Sequence, residues 1–94
     1  MMTTIRIALV EDNADLRDEL TFHLRRLGHG VDGFADGEQL DAWLRENTPD
    51  VLVLDVGLPG ESGLSIAARL RSVHPTMGIV MLTARGEVDD RVAG

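Results

Sequence analysis

Residues 51–60 read VLVLDVGLPG, and this stretch decides the fold class of the chain. Its first four residues are apolar, so both faces of the segment avoid water, which is typical of a strand buried inside a parallel sheet. The acidic residue Asp55 ends the apolar run, and the glycines and proline after it indicate a loop. The stretch therefore predicts a buried strand that places one carboxylate at an edge of a sheet.

Short apolar runs of the same kind recur along the chain and alternate with helical patterns. Strands are expected over 5–10, 31–34, 51–55 and 79–83. Helices are expected after the capping residues Asn13 and Asp36, from Ser62 or Gly63, and over 87–93. Their apolar stripes are Leu16, Leu20, Leu24 and Leu27, then Leu40, Trp43 and Leu44, then Ile66, Ala67, Leu70 and Val73. This alternation predicts an α/β fold with a parallel sheet between helices.

Composition excludes several classes of function. The 94 residues carry 16 acidic and nine basic side chains, so the net charge is −7, which disfavours contact of this segment with nucleic acid or with an anionic membrane. Cysteine is absent, which excludes thiolate metal sites and cysteine nucleophiles. The sequence shows no signal peptide and no membrane-spanning run, so we expect a cytoplasmic domain.

Three carboxylates and a hydroxyl follow the predicted strands. Glu11 and Asp12 follow the first strand, Asp55 ends the third, and Thr83 ends the fourth. In a doubly wound sheet such strand ends form the ligand-binding crevice, and clustered carboxylates suit Mg²⁺. Taken singly, the acidic pair is also compatible with a helix cap, Asp55 with a turn, and Thr83 with an ordinary strand position.

In these motifs the sequence resembles the receiver domain of bacterial two-component response regulators. The resemblance implies a flavodoxin-like, doubly wound parallel sheet with strand order 2-1-3-4 and the fifth β-α unit missing. It covers residues 1–94, which we expect to be one receiver domain truncated at its C-terminal side. The matching residues are Ile7-Ala8-Leu9-Val10-Glu11-Asp12, residues 52–60, Gly63 and Leu82-Thr83-Ala84.

The resemblance also implies roles for individual residues. Asp55 would be the phosphoacceptor, which takes a phosphoryl group from the phosphohistidine of a sensor histidine kinase. Asp12, Asp55 and the backbone carbonyl of Gly57 would hold Mg²⁺, with Glu11 acting through water, and Thr83 would hydrogen-bond a phosphoryl oxygen. Such a domain switches an output function and is not a turnover enzyme on an external substrate. Parent proteins of this kind often bind DNA through a further domain.

The chain departs from the receiver pattern in one respect. Receivers resemble one another in a lysine and an aromatic residue near a fifth strand, whereas all nine basic residues here are arginine. We therefore expect slow phosphorylation of this chain. We also expect the fourth strand to form an open edge over 79–82, Ile7 and Val53 to be partly open to water, and the chain to self-associate through that edge.

Three alternative functions were weighed. A phosphatase of the haloacid dehalogenase type needs a second acid two residues after its nucleophile, where this chain has Gly57. A nucleotide binder of flavodoxin-like fold needs a phosphate-cradling loop after the first strand, but residues 11–15 are largely acidic. An inert receiver fragment that acts only as an interaction module stays open.

Overall fold

The structure is a computed structural model that describes residues 4–82 and the backbone of residues 88–89. Helices and strands alternate from the first strand to the fourth. The elements in chain order are β1 (Arg6–Val10), α1 (Ala14–Arg26), β2 (Gly30–Phe34), α2 (Gly37–Leu44), β3 (Val51–Asp55), α3 (Gly63–Val73), β4 (Gly78–Leu82) and β5 (Val88–Asp89).

The sheet has the order β2-β1-β3-β4-β5, and its first four strands are parallel. The predicted order 2-1-3-4 is therefore confirmed. β1 lies between β2 and β3, with Val10 paired to both Phe34 and Leu54. Because β1 and β3 are neighbours, the segments that follow them emerge side by side at one edge of the sheet.

Two cores cover the two faces of the sheet. The larger core lies under α2 and α3, and the smaller one lies under α1. Alternate residues of β3 divide between them, with Leu52 and Leu54 in the larger core and Val51 and Val53 beside the smaller one. This two-sided burial is the reason why β3 is apolar on both faces.

The predicted helix starts are confirmed by their caps. Asn13 Oδ1 accepts a hydrogen bond from the backbone N–H of Leu16 at 3.0 Å, at the start of α1. Asp36 caps α2 in the same way, and Ser62 caps α3 through its hydroxyl. These side chains satisfy backbone donors that would otherwise lack partners in the first turn of each helix.

Parts of the predicted apolar stripes were wrong. Leu16, Leu27 and Val73 are 38%, 57% and 68% exposed, respectively. Leu16 lies in the first turn of α1, Leu27 follows its last residue, and Val73 ends α3. Only the central residues of each stripe reach the sheet, since a short helix crosses the sheet at an angle and its ends diverge from it.

Ile7 is a second correction, because it was expected to be partly open to water. It is only 4% exposed, in the smaller core with Leu9 and Val31. Leu20 and Leu24 of α1 pack against that core and are sufficient to cover β1. Val53 of β3 is half-buried, as expected.

The end of the sheet gives a third correction. A helix was expected over 87–93, but Val88–Asp89 form a strand antiparallel to β4. Met81 pairs with Asp89 and Leu82 with Val88, so the expected open edge over 79–82 is covered at these two positions. Pairing gives partners to backbone groups that an open edge would leave free. The rest of the expected helix lies outside the described residues.

Candidate functional site

The structure brings together the three carboxylates that follow β1 and end β3. Glu11, Asp12 and Asp55 each place one oxygen within 4.8 Å of the others. The cause is the register of the sheet, in which the last residue of β1, Val10, pairs with Leu54. The carboxyl ends of two neighbouring parallel strands therefore converge on one acidic cluster, formed by these three side chains.

Glu11 is the buried member of the acidic cluster, at 3% exposure. Its backbone is fixed from two sides, since its N–H donates to the Phe34 carbonyl at 2.9 Å and its carbonyl accepts from Arg17 Nη1 at 2.8 Å. Its side-chain Oε2 accepts the backbone N–H of Asn13 at 3.1 Å. The carboxyl is thus held in one orientation beside Asp55.

Burial raises the pKa of the Glu11 carboxyl from 4.5 to about 7. Desolvation of the charged form is the largest cause, and the Asn13 N–H opposes it by stabilising the carboxylate. Hydrogen bonds with the Asp12 and Asp55 carboxyls, and repulsion from the Asp55 charge, raise it further. Without a cation, the acidic cluster therefore resists carrying its full negative charge.

Asp55 is half-buried and turns back on its own loop. Its Oδ1 accepts the backbone N–H of Gly57 at 3.1 Å, and the Val56 N–H donates to the Leu82 carbonyl at 2.9 Å. A Cβ at Gly57 would meet nothing within 4 Å, so the space beside this residue is open. One Asp55 oxygen is thus oriented by the loop, in a site that solvent and small molecules can reach.

Gly63 is a site residue whose role the sequence did not reveal. A Cβ on it would lie 2.2 Å from the backbone carbonyl oxygen of Asp55 and 3.1 Å from Met81 Cε. Its N–H donates to the Val56 carbonyl at 3.2 Å. The absence of a side chain therefore lets the start of α3 lie directly against the end of β3, which fixes the backbone of Asp55.

Thr83 was predicted to contribute a hydroxyl to this edge of the sheet, and it lies outside the described residues. Gly57 lies in the loop directly after Asp55, where its N–H bond places it beside the acidic cluster. The donor set itself suits a hard divalent cation, since it consists of carboxylate oxygens whose mutual repulsion such an ion would relieve.

Residues 7–94 match the family model described as response regulator receiver domain. The chain belongs to this family. As a receiver domain it is 42% identical over 88 residues to the transcriptional regulatory protein PhoP of Escherichia coli O157:H7, an alignment that covers 94% of this chain and 40% of that protein. The chain thus spans well under half the length of the curated relatives that it matches.

Solved structures of other receivers superpose on this domain. NtrX from Brucella abortus, solved with ADP, gives a TM-score of 0.82 at 26% identity, over 86% of this chain and 19% of that one. TrrA from Thermotoga maritima, a response regulator solved with Mg²⁺ and BeF, gives 0.79 at 32% identity, over 84% of this chain and 69% of that one. Within the described part of this receiver domain, no helix has the length and apolar character needed to cross a bilayer.

Proposed function

We propose that this receiver domain is the phosphoacceptor of a two-component signalling system, and that Asp55 receives the phosphoryl group. The observation that carries the proposal is the acidic cluster around Asp55, with Glu11 and Asp12 supplied by the neighbouring strand end. Its fold is that of receivers, including one solved with Mg²⁺ and BeF. The kinase partner and the use of Mg²⁺ are part of this proposal.

The proposed reaction is a phosphoryl transfer between two side chains. An oxygen of Asp55 attacks phosphorus, the bond from phosphorus to the kinase histidine nitrogen breaks, and the histidine leaves as neutral imidazole once it gains a proton. The loop N–H of Gly57 holds Oδ1 of Asp55 at 3.1 Å, so the other oxygen is the one we assign as nucleophile. Positioning and charge neutralisation, rather than covalent machinery, dominate such transfers.

Mg²⁺ would be held by Asp12, Asp55 and the backbone carbonyl of Gly57, with Glu11 acting through water. It would supply positive charge to the phosphoryl oxygens as they approach the acidic cluster. The raised pKa of Glu11 supports this assignment, because it shows that the three carboxyls lie close enough to oppose each other's ionisation. We propose that Thr83 donates its hydroxyl to a phosphoryl oxygen.

The signalling context is proposed from the relatives. PhoP is named a transcriptional regulatory protein, so we propose that this domain, residues 1–94, controls transcription through a DNA-binding segment elsewhere in its protein. We propose a sensor histidine kinase as its cytoplasmic partner and no turnover of an external substrate. Self-association stays a proposal for β4 at Ile79 and Val80, which β5 does not pair, and sedimentation at several concentrations tests it.

Phosphorylation by a small donor tests the proposed function. The protein is incubated with phosphoramidate, with and without Mg²⁺, and its intact mass is measured. We expect one phosphoryl group per chain, only when Mg²⁺ is present, and none in Asp55→Asn. Asp50→Asn is the control, since Asp50 precedes β3 at the opposite end of that strand. Equal modification of wild type and Asp55→Asn would contradict the proposal.

A further inference from the structure

Arg69 of α3 joins two carboxylates from different parts of the fold. Its Nε donates to both oxygens of Glu61, at 3.0 and 2.9 Å, and its Nη2 donates to both oxygens of Asp41, at 3.0 and 2.9 Å. Asp41 lies in α2, and Glu61 lies in the segment between β3 and α3. One guanidinium therefore links two helices to the loop that follows Asp55.

The network is directional and specific to an arginine. The planar guanidinium offers donors along two edges, so it can serve both carboxylates at once, whereas a lysine ammonium is a single point charge. The hydroxyl of Ser65 donates to Glu61 Oε2 at 2.7 Å. Hydrogen bonds from Arg69, and then from Ser65, lower the pKa of the Glu61 carboxyl, so this residue stays ionised and paired.

Glu61 holds the far end of the loop that begins beside the acidic cluster. At the near end, Gly57 donates to Asp55 and Gly63 donates to the Val56 carbonyl. Leu58 is buried in the larger core, and Gly60 has a φ of +72°, a conformation that side chains rarely adopt. Only four residues separate Gly57 from Glu61, so a shift of Glu61 is transmitted along a short chain already held at Leu58.

We propose that Arg69 is a positioning residue that fixes the loop of residues 56–62 against α2 and thereby holds Gly57 beside the acidic cluster. Arg69 touches none of the cluster carboxylates among its hydrogen bonds and acts through Glu61. The consequence for Mg²⁺ rests on the proposed function, in which the Gly57 carbonyl is a ligand. The consequence for the loop does not depend on a metal.

The test compares Arg69→Gln with Arg71→Gln in the same helix. Arg71 donates to the Pro75 carbonyl at 2.8 Å, so its removal also costs α3 one hydrogen bond, but at the end away from the loop. In metal-free protein, we expect the amides of Gly57 and Gly63 to exchange with solvent several-fold faster in Arg69→Gln and at the wild-type rate in Arg71→Gln. Glu61→Gln should resemble Arg69→Gln and provides a second variant should the first fail to fold.

Mg²⁺ titration of the same proteins gives the second readout. We expect the Mg²⁺ dissociation constant to rise roughly 3- to 10-fold in Arg69→Gln, at or below the low end of outer-shell effects on metal sites. Unchanged amide exchange in both Arg69→Gln and Glu61→Gln would overturn the positioning role. If wild type binds no Mg²⁺, the proposed metal site fails, and amide exchange alone still decides the role of Arg69.

Discussion

The first helical residue of α3, Gly63, lies so close to Asp55 that a Cβ on it would stand 2.2 Å from the Asp55 carbonyl oxygen. The obstacle is backbone, which cannot rotate away as a side chain could. The residue proposed to accept the phosphoryl group is therefore held in place by a helix whose first turn lacks a side chain at this point. The contact connects a packing detail to the geometry of the site.

Gly63→Ala should destabilise the fold and disturb the acidic cluster. Forcing a methyl group against the Asp55 backbone is overpacking, which costs about 1–3 kcal/mol, while the better helix propensity of alanine returns up to about 1 kcal/mol. Urea unfolding measures the change. Gly57→Ala is the matched control, because a Cβ there meets nothing within 4 Å, and we expect a change within about 0.5 kcal/mol. Equal costs for the two variants would contradict the close approach.

The stability of the metal-free protein should fall as pH rises through neutrality. Glu11 has a native pKa of about 7 against 4.5 in the unfolded chain, so between these values the native state binds more protons. Its contribution is fully present below about pH 4.5 and is lost by pH 7 and above, with a loss of up to about 3 kcal/mol. Urea midpoints from pH 5 to pH 8, measured with a chelator present, report this slope.

Glu11→Gln should flatten that slope, since glutamine does not titrate, whereas Glu46→Gln on the exposed surface should leave it unchanged. Mg²⁺ should act in the opposite sense, because it binds the ionised carboxylates and so competes with protons. Adding Mg²⁺ at pH 7 should therefore stabilise the wild type and release protons. A pH slope that persists in Glu11→Gln would assign the effect to another group.

Phosphorylation of this 94-residue chain should be slow. The chain has no lysine, whereas receivers resemble one another in a lysine near the phosphoryl group. Removing one preorganised donor of that kind costs roughly 10²–10³ in rate in comparable sites. The initial rate with acetyl phosphate and Mg²⁺, followed by intact mass beside a receiver that carries the lysine, measures the difference. Equal rates would show that this chain does not depend on such a cation.

The strand order and the acidic cluster could be predicted because they follow from pattern and register. Four apolar runs alternating with helices specify a parallel sheet, and Asp55 and Glu11 then converge because their strands end at the same edge. The helix caps Asn13 and Asp36 were predictable for a similar reason, since their chemistry is local.

Contacts between distant segments could not be predicted in this way. The 3.6-residue period placed Leu16 and Leu27 on the same face as Leu20 and Leu24, but it does not show where a helix leaves the sheet. The Arg69 network joins residues 28 and 8 positions away, a geometry that only the folded chain defines. The β5 pairing was missed because two residues are too few for periodicity to distinguish strand from helix.

Locating the phosphoryl group tests the central claim most directly. An aspartyl phosphate is reduced by borohydride to homoserine, so treating the phosphorylated protein with borodeuteride and sequencing its peptides by mass spectrometry marks the modified residue. The account predicts deuterated homoserine at position 55 alone, dependent on Mg²⁺ and absent without the phosphodonor. Label at Asp12 or Glu11 with Asp55 unmodified would contradict the assignment of Asp55 as the phosphoacceptor.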